Sequence, residues 1–193
     1  HTAPKNQPDL NFFDLSTRGF RLNYPNDIIR THVSYREFGE MFNPAVGFNH
    51  RNGFKRIQPS FSYHPRPEKY EFIRQIELGI QYEYMTDLHN NMLKKETTIT
   101  PFNIRFESQD ELGIKIVNLI EYLDKSFTIY KDITIPVKEY SSNELQFKFE
   151  TSEKRMISTE LEYQTGDFWT GKKQTLKTQF SIKPFSGFNI QTE

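Results

Sequence analysis

The sequence predicts an all-β fold, an antiparallel meander of nine or ten strands. Apolar and polar residues alternate one for one over long stretches, which is typical of strands with two different faces. Residues 56–63 show the pattern clearly, with Ile57, Pro59, Phe61 and Tyr63 on one side and arginine, glutamine and serines on the other. Helical periodicity is nearly absent. The links between alternating stretches are too short for crossover connections, so neighbouring strands are expected to be antiparallel.

The predicted strands follow one another along most of the chain. They cover residues 31–38, 54–64, 72–84, 98–106, 112–123, 143–150, 155–164, 173–183 and 188–191, with 19–24 as one more candidate. Alternation in the 112–123 strand breaks down at residues 117–120, which predicts a β-bulge there. We interpret residues 1–193 as part of one β-barrel domain within a longer chain, with residues 1–24 as an irregular lead-in.

Composition excludes several classes of protein. The chain has 193 residues, no cysteine, and 25 basic against 25 acidic residues, so disulfide scaffolds, thiolate metal sites and nucleic-acid partners are not expected. Mean hydropathy is −0.73, yet the 18 Phe and 10 Tyr argue against a disordered chain, since disordered segments are poor in aromatic residues. No run of 18 apolar residues occurs, which excludes a transmembrane helix and leaves transmembrane strands open.

Strand length and aromatic placement bear on what the apolar side faces. Several predicted strands are nine to thirteen residues long, whereas strands of soluble proteins usually have about five or six and membrane-crossing strands about 9–11. Aromatic residues concentrate toward strand ends, as in the girdles of outer-membrane barrels. Links alternate between short and long, which predicts that 124–142 and 166–171 are loops facing outside the cell. A soluble sheet also favours aromatics, so lipid and a protein core both stay open.

The polar side of the strands carries charges of both signs. In a barrel these side chains would line the lumen and pair across strands, and the candidates are Arg105, Glu107, Lys148, Glu160 and Glu162. In a soluble β-sandwich the same residues would form a solvated face.

Other candidate sites are weak. No two of the five histidines have metal-ligand spacing, and no nucleophile elbow or phosphate loop occurs, so we expect no metal, no cofactor and no enzymatic activity. Carboxylate pairs such as Glu160 and Glu162 arise on any polar strand face. Phe168 and Trp169, in a stretch flanked by glycines, are candidate loop contacts for a sugar ring or a partner. Trp169 as an anchor at the membrane interface is the favoured interpretation.

Three short motifs carry a resemblance. They are Asn-Pro-Ala-Val-Gly-Phe at 43–48, Ile-Pro-Val-Lys-Glu-Tyr at 135–140 and Gly-Asp-Phe-Trp-Thr-Gly at 166–171. In this order, over residues 24–193, the chain resembles outer-membrane β-barrel regions of Bacteroidota-type bacteria. In those proteins the barrel region follows a family-9 carbohydrate-binding module. This sequence lacks that module and also lacks the remaining barrel strands. The family has no established activity.

The resemblance implies a segment of a transmembrane β-barrel in the cell outer membrane, with a role in transport, export or surface carbohydrate handling. Its implied partners are the lipid bilayer, the remaining strands of the barrel and other outer-membrane proteins. Residues Ile57, Phe61 and Tyr63 would then face lipid. One alternative is a soluble antiparallel β protein, a sandwich that binds glycan or a protein partner. A weaker alternative is a fragment of a glycoside hydrolase.

Overall fold

Twelve strands account for most of the chain in a computed structural model, which describes residues 11–44, 51–130, 133–185 and 187–192. The strands are β1 (Thr17–Pro25), β2 (Ile29–Phe38), β3 (Phe54–Tyr63), β4 (Ile73–Asp87), β5 (Met92–Phe106), β6 (Glu111–Tyr122), β7 (Phe127–Tyr130), β8 (Ile133–Ile135), β9 (Glu139–Glu150), β10 (Ile157–Phe168), β11 (Gly171–Phe185) and β12 (Phe188–Thr192). A single 3-10 turn, Phe12–Leu15, is the only helical element among the described residues.

Ten strands form one antiparallel sheet in the order β1-β2-β3-β4-β5-β6-β9-β10-β11-β12. Each strand pairs with the next along the chain, except that β7 and β8 form a separate two-stranded hairpin within the link from β6 to β9. The predicted all-β antiparallel meander is therefore confirmed. Strands β1 and β12 are the two edges of the sheet.

The first strand starts earlier than the predicted irregular lead-in allows. Strand β1 begins at Thr17 and pairs over its whole length with β2, from Thr17 opposite Phe38 to Pro25 opposite Arg30. The irregular lead-in over 1–24 is therefore wrong from residue 17 onward, and residues 1–10 lie outside the described residues. The additional candidate strand over 19–24 lies within β1, where Phe20, Leu22 and Tyr24 alternate with Arg21 and Asn23.

The predicted bulge at residues 117–120 is also wrong. Pairing between β6 and β9 is unbroken, from Glu111 opposite Glu150 to Tyr122 opposite Glu139. The irregularity lies instead in β5, between Ile99 and Phe102, where Pro101 has no backbone N–H to donate. Alternation fails in β6 because two apolar residues, Val117 and Leu119, lie on the polar side.

Pro59 interrupts the hydrogen-bond ladder between β3 and β4, because proline has no backbone N–H to donate. Strand β3 pairs with β2 along its full length, and Pro59 there lies opposite Val33. Toward β4 the pairing stops after Ile57 and resumes at Ser60, with unchanged register. The missing N–H of Pro59 therefore weakens one of its two strand partnerships and leaves the other intact.

The links between strands depart from the predicted order. Residues 166–171 are not a loop, because β10 runs to Phe168 and β11 begins at Gly171, leaving a two-residue turn of Trp169 and Thr170. Residues 124–142 include β7, β8 and the start of β9. Each end of the sheet carries both short and long links, so the strict alternation is wrong.

Burial in this sheet is unusual. Among the described residues, the buried hydrophobic residues are Phe54, Leu93, Ile135 and Tyr140, and no large side chain is fully buried. The chain exposes 13,978 Å², whereas a compact monomer of 23.0 kDa exposes about 9,600 Å². Within the described ranges no second layer covers the sheet, which explains both observations. In the described ranges, no helix has the length and apolar character needed to span a membrane.

Candidate functional site

One side of the sheet, here called the apolar face, carries large hydrophobic side chains across successive strands. Residues that are register partners point to the same side of a sheet, so the pairing identifies the members of each row. The central row consists of Tyr24, Thr31, Phe61, Ile80, Ile99, Ile116 and Leu145. It crosses seven strands without a charged residue.

Two further rows extend the apolar face over β4 to β11. One row consists of Ile76, Ile104, Leu112, Phe149 and Leu161, and the other of Phe102, Ile114, Phe147, Tyr163 and Leu176. The large side chains of the central row are exposed, with Phe61 at 47%, and so is Leu176 at 62%, whereas the other members of these two rows are half-buried. An apolar surface this extensive is far larger than the single patches usual on soluble monomers.

The structure confirms the two-sided pattern of residues 56–63. Ile57, Phe61 and Tyr63 are exposed on the apolar face. Ser60, opposite Gln81, lies on the other side, here called the polar face. Whether the apolar face contacts lipid stays a prediction.

Aromatic rings mark both ends of the apolar face. At the end bearing the link 107–110, Phe72 stacks on Phe106 with ring centroids 6.4 Å apart. Near the opposite end, Tyr82 and Tyr84 stack at the same separation. Tyr122 is exposed at that end of β6. This placement agrees with the predicted concentration of aromatics toward strand ends.

The polar face is the more enclosed of the two. Its small side chains are buried, with Ser34 2% and Ser158 6% exposed. A cavity of about 150 Å³ lies on this face, bordered by residues that include Asn103, Glu111 and Lys148. Burial over much of the sheet is thus inverted relative to a soluble sheet, because Ser34 and Ser158 are covered whereas Phe61, Ile80 and Leu176 are exposed.

Lys148 is the centre of a charge network on the polar face. Its ammonium lies 2.9 Å from a carboxylate oxygen of Glu150 and 3.1 Å from one of Glu160. On the register row of Lys148 itself, Lys177 lies 3.8 Å from Glu162. Glu150, Glu160 and Glu162 therefore each lie within ion-pair distance of a lysine on the same strand or the next one.

Four of the five predicted lumen-facing residues lie together on this face. Register pairing joins Arg105 to Glu111, Glu111 to Glu150, and Glu150 to Glu160, and the guanidinium of Arg105 lies 3.2 Å from Glu111. Lys148 and Glu162 are direct partners. Glu107 does not join them, because β5 ends at Phe106 and Glu107 belongs to the following turn. There its N–H donates to the carbonyl of Phe72.

A further ionic cluster lies on β4 and β5. Lys94 contacts Glu83 at 3.1 Å and Glu96 at 2.8 Å, and the Gln58 amide donates to Glu83. Cross-strand pairing of opposite charges stabilises neighbouring strands and neutralises the face locally.

Trp169 lies at the centre of an aromatic cluster, and Phe168 is the last residue of β10 beside it. The Trp169 ring meets the edges of Tyr140, at 4.9 Å, and Phe127, at 5.2 Å. Its φ of 52° is one that bulky residues rarely adopt. The cluster joins the β10–β11 turn to the β7–β8 hairpin, so Trp169 packs against its own chain.

The sequence missed the anchoring of that hairpin. The Tyr140 hydroxyl donates to the carbonyl of Pro136 at 2.8 Å, and Tyr140 and Ile135 are both buried. This explains why the Ile-Pro-x-x-x-Tyr segment has its spacing, because the tyrosine closes onto the proline carbonyl four residues earlier. The apolar residues Phe127, Ile129, Ile133 and Ile135 were the available signal for two short strands.

Asp110 forms a clamp between two turns that the sequence also did not reveal. One carboxylate oxygen accepts from the Ser152 N–H at 2.8 Å, and the other accepts from Ser108 and Arg155. Burial raises the pKa of Asp110, but these hydrogen bonds and the Arg155 charge outweigh it and hold the pKa below its usual value. The link 107–110 is thereby tied to the link 151–156.

Catalytic and metal-binding arrangements are sparse. In the ranges that the structure describes, no group of three or more His, Cys, Asp or Glu side chains is placed to hold a metal ion. Glu160 and Glu162 are each paired with a lysine. The Ser62 hydroxyl lies 2.8 Å from Nε2 of the buried His64, and no acidic side chain of the described residues hydrogen-bonds to that histidine.

Comparison of the chain with known protein families, with curated proteins and with solved structures found no match.

Proposed function

We propose that the chain forms part of the wall of a β-barrel in an outer membrane, with the apolar face in lipid and the polar face toward the interior. The observation that carries this proposal is the inverted burial of the ten-stranded sheet. Large apolar side chains such as Leu176 and Phe61 are exposed, whereas Ser34 and Ser158 are covered. Lipid is a solvent in which exposed apolar side chains and a polar interior are both favourable.

The dimensions of the strands support this proposal. On β6 the apolar face runs from Leu112 to Tyr122, eleven residues whose ten steps span about 34 Å of strand. At the tilt of 35–45° usual in membrane barrels, this length covers about 24–28 Å across the bilayer, close to the ~25 Å apolar band of such proteins. Two polar residues within this face are hydrogen-bonded to each other, because the Asn118 side-chain amide donates to the Asn143 side-chain oxygen at 2.9 Å.

The two edge strands of the described sheet still need pairing partners. Strands β1 and β12 each have one paired neighbour in the described sheet. Unpaired backbone groups are costly in hydrocarbon, so both edges must pair in the membrane. We propose that they pair with further strands of the same barrel. The role we propose for such a barrel is transport, export or surface carbohydrate handling.

We propose no catalytic role, because the candidate carboxylates Glu160 and Glu162 are held by lysines as members of a structural network. A soluble glycan-binding sandwich would need a second layer over the apolar face. In the part of the chain that the structure describes, the β7–β8 hairpin is the one element outside the sheet besides the 3-10 turn, and it packs against Tyr140 and Trp169.

Extraction from cell envelopes tests the proposal. The full-length protein is extracted with buffer alone and with detergent, and the extracted protein is then compared by gel migration with and without heating. We expect release in detergent only and a heat-dependent shift in migration, because a closed barrel stays folded in the gel until it is heated. Release into buffer without a shift would refute the proposal and favour the soluble alternative.

A further inference from the structure

The polar face changes character at its β1 side. On β4 to β10 it carries carboxylates that pair with lysines and arginines, as described above. On β1, β2 and β3 it carries no carboxylate at all, and its charged residues are Arg21, Arg30, Arg36 and Arg56. One of these has a local partner, since Arg30 donates to the carbonyl of Asn26 at 3.3 Å. The other three, Arg21, Arg36 and Arg56, lie on the three neighbouring strands β1, β2 and β3.

Arg36 and Arg56 are direct register partners on β2 and β3. Side chains so placed start from Cβ atoms about 4.5–5.5 Å apart, and two like charges directly opposite destabilise a sheet. In the described residues neither guanidinium forms an ion pair. The nearest carboxylate on β2, that of Glu37, lies on the apolar face and is bound to Arg18.

Arg56 lacks a hydrogen-bond acceptor at one nitrogen, although its guanidinium carbon lies 5.9 Å from the centroid of the Phe54 ring. Its Nε is buried and has no hydrogen-bond acceptor, the one such side-chain atom among the described residues. A guanidinium nitrogen removed from water without an acceptor costs free energy. An acceptor supplied from outside the chain would remove this cost and offset the repulsion between the two arginines.

The surroundings favour a small anion. Arg21 lies opposite Ser34, and Ser34 lies two residues before Arg36 on the same face, so a third guanidinium and a hydroxyl border the pair. Gly19, the register partner of Arg36, has no side chain, and a hollow at the edge of the sheet is lined by Arg21 and Arg36 but not by Arg56.

We propose that Arg36 and Arg56, with Arg21, bind an oxyanion, which is a phosphate, sulfate or carboxylate group of a water-borne solute. The planar fork of arginine matches two oxygens of such a group and forms short, charge-assisted hydrogen bonds. A water-borne solute fits better than a lipid headgroup because the three arginines lie on the face opposite the apolar one. The site goes beyond the proposed function, since it requires only the sheet and its register.

Calorimetric titration with inorganic phosphate tests the site. The full-length protein in neutral detergent is titrated at constant ionic strength, and acetate is titrated in parallel to separate phosphate-like from carboxylate-like ligands. We expect saturable binding of at least one of these anions. The double variant Arg36→Gln, Arg56→Gln should bind it about 10- to 100-fold more weakly, because two charge-assisted interactions are lost.

A matched control removes the same charge elsewhere. Lys115→Gln, Lys173→Gln takes two positive charges from the polar face of β6 and β11 and should leave the affinity unchanged. Equal weakening in both double variants would show a diffuse charge effect and overturn the proposal. Absence of saturable binding of both anions would also overturn it.

Thermal unfolding provides a second measurement of binding that is independent of the calorimetric titration. The bound anion should raise the Tm of the unaltered protein and of the lysine control, and not that of the arginine variant. In anion-free buffer the arginine variant should be at least as stable as the unaltered protein, because a like-charge pair is relieved. A clear loss of stability there would mean that the arginines already have partners, contrary to the proposal.

Discussion

Replacing Ile116 by arginine separates lipid from water as the environment of the apolar face. Ile116 is 42% exposed, and its register partners are Ile99 and Leu145. It lies four residues from Leu112 and six from Tyr122, the ends of the apolar face on β6, so it would sit near the middle of the bilayer. An arginine there should cost about 2–4 kcal/mol of folding free energy, whereas at a water-exposed position the same change stays within about 0.5 kcal/mol.

The adjacent residue is the matched control. Val117 is also β-branched and lies on the polar face between Thr98 and Glu144, and it is less exposed than Ile116. Val117→Arg should therefore cost less than Ile116→Arg in a membrane, since the new charge faces Glu144. In a soluble protein the order would be reversed. The measurement is denaturant unfolding of the protein folded into phospholipid vesicles, and a larger cost at Val117 would refute the reasoning.

Three further changes test the turns and the end of the sheet. Asp110→Asn should destabilise by about 1–2 kcal/mol near neutral pH because it loses the charge-assisted bond to Arg155. The pKa of Asp110 is lower in the folded state than in the unfolded state. Its stabilising contribution is therefore fully present above the unfolded-state pKa and is lost as the pH falls through the folded-state pKa. The unfolding curves of the two proteins should accordingly converge in acid. Tyr140→Phe should cost about 1 kcal/mol by releasing the Pro136 carbonyl, and a red shift in the fluorescence of the single tryptophan would report the loosened hairpin; an unchanged spectrum would contradict this. Gly166→Ala should lower the Tm by several degrees, because a Cβ there would collide with backbone atoms of β9, and an unchanged Tm would contradict that packing.

Strand alternation was sufficient to predict the sheet, because side chains on each strand divide between two chemically different sides. It correctly predicted that residues 54–63 form a strand and which residues of β9 to β11 share a face. It failed where a side chain departs from the rule for its face. Val117 and Leu119 are apolar residues on the polar face, and they suggested a bulge that Pro101 actually causes one strand away.

Contacts between distant residues could not be predicted in this way. Asp110 and Ser152 are 42 positions apart, and nothing local in the sequence identifies them as a pair. The opposition of Arg36 and Arg56 depends on the register of β2 against β3, which a shift of one residue would abolish. Trp169 was interpreted as an anchor at the membrane interface, with a loop contact as the alternative, and only the fold shows that its ring packs on Tyr140.

Single cysteines along β6 test the central claim most directly, because the chain has no cysteine of its own. Each residue from 112 to 122 is replaced in turn, labelled with a fluorophore, and measured in vesicles made with brominated lipid, which quenches only by contact within the bilayer. The account predicts strong quenching at even positions such as Ile116 and weak quenching at odd positions such as Val117, with a period of two residues. Uniformly weak quenching, or a pattern without that period, would contradict a lipid-facing apolar surface.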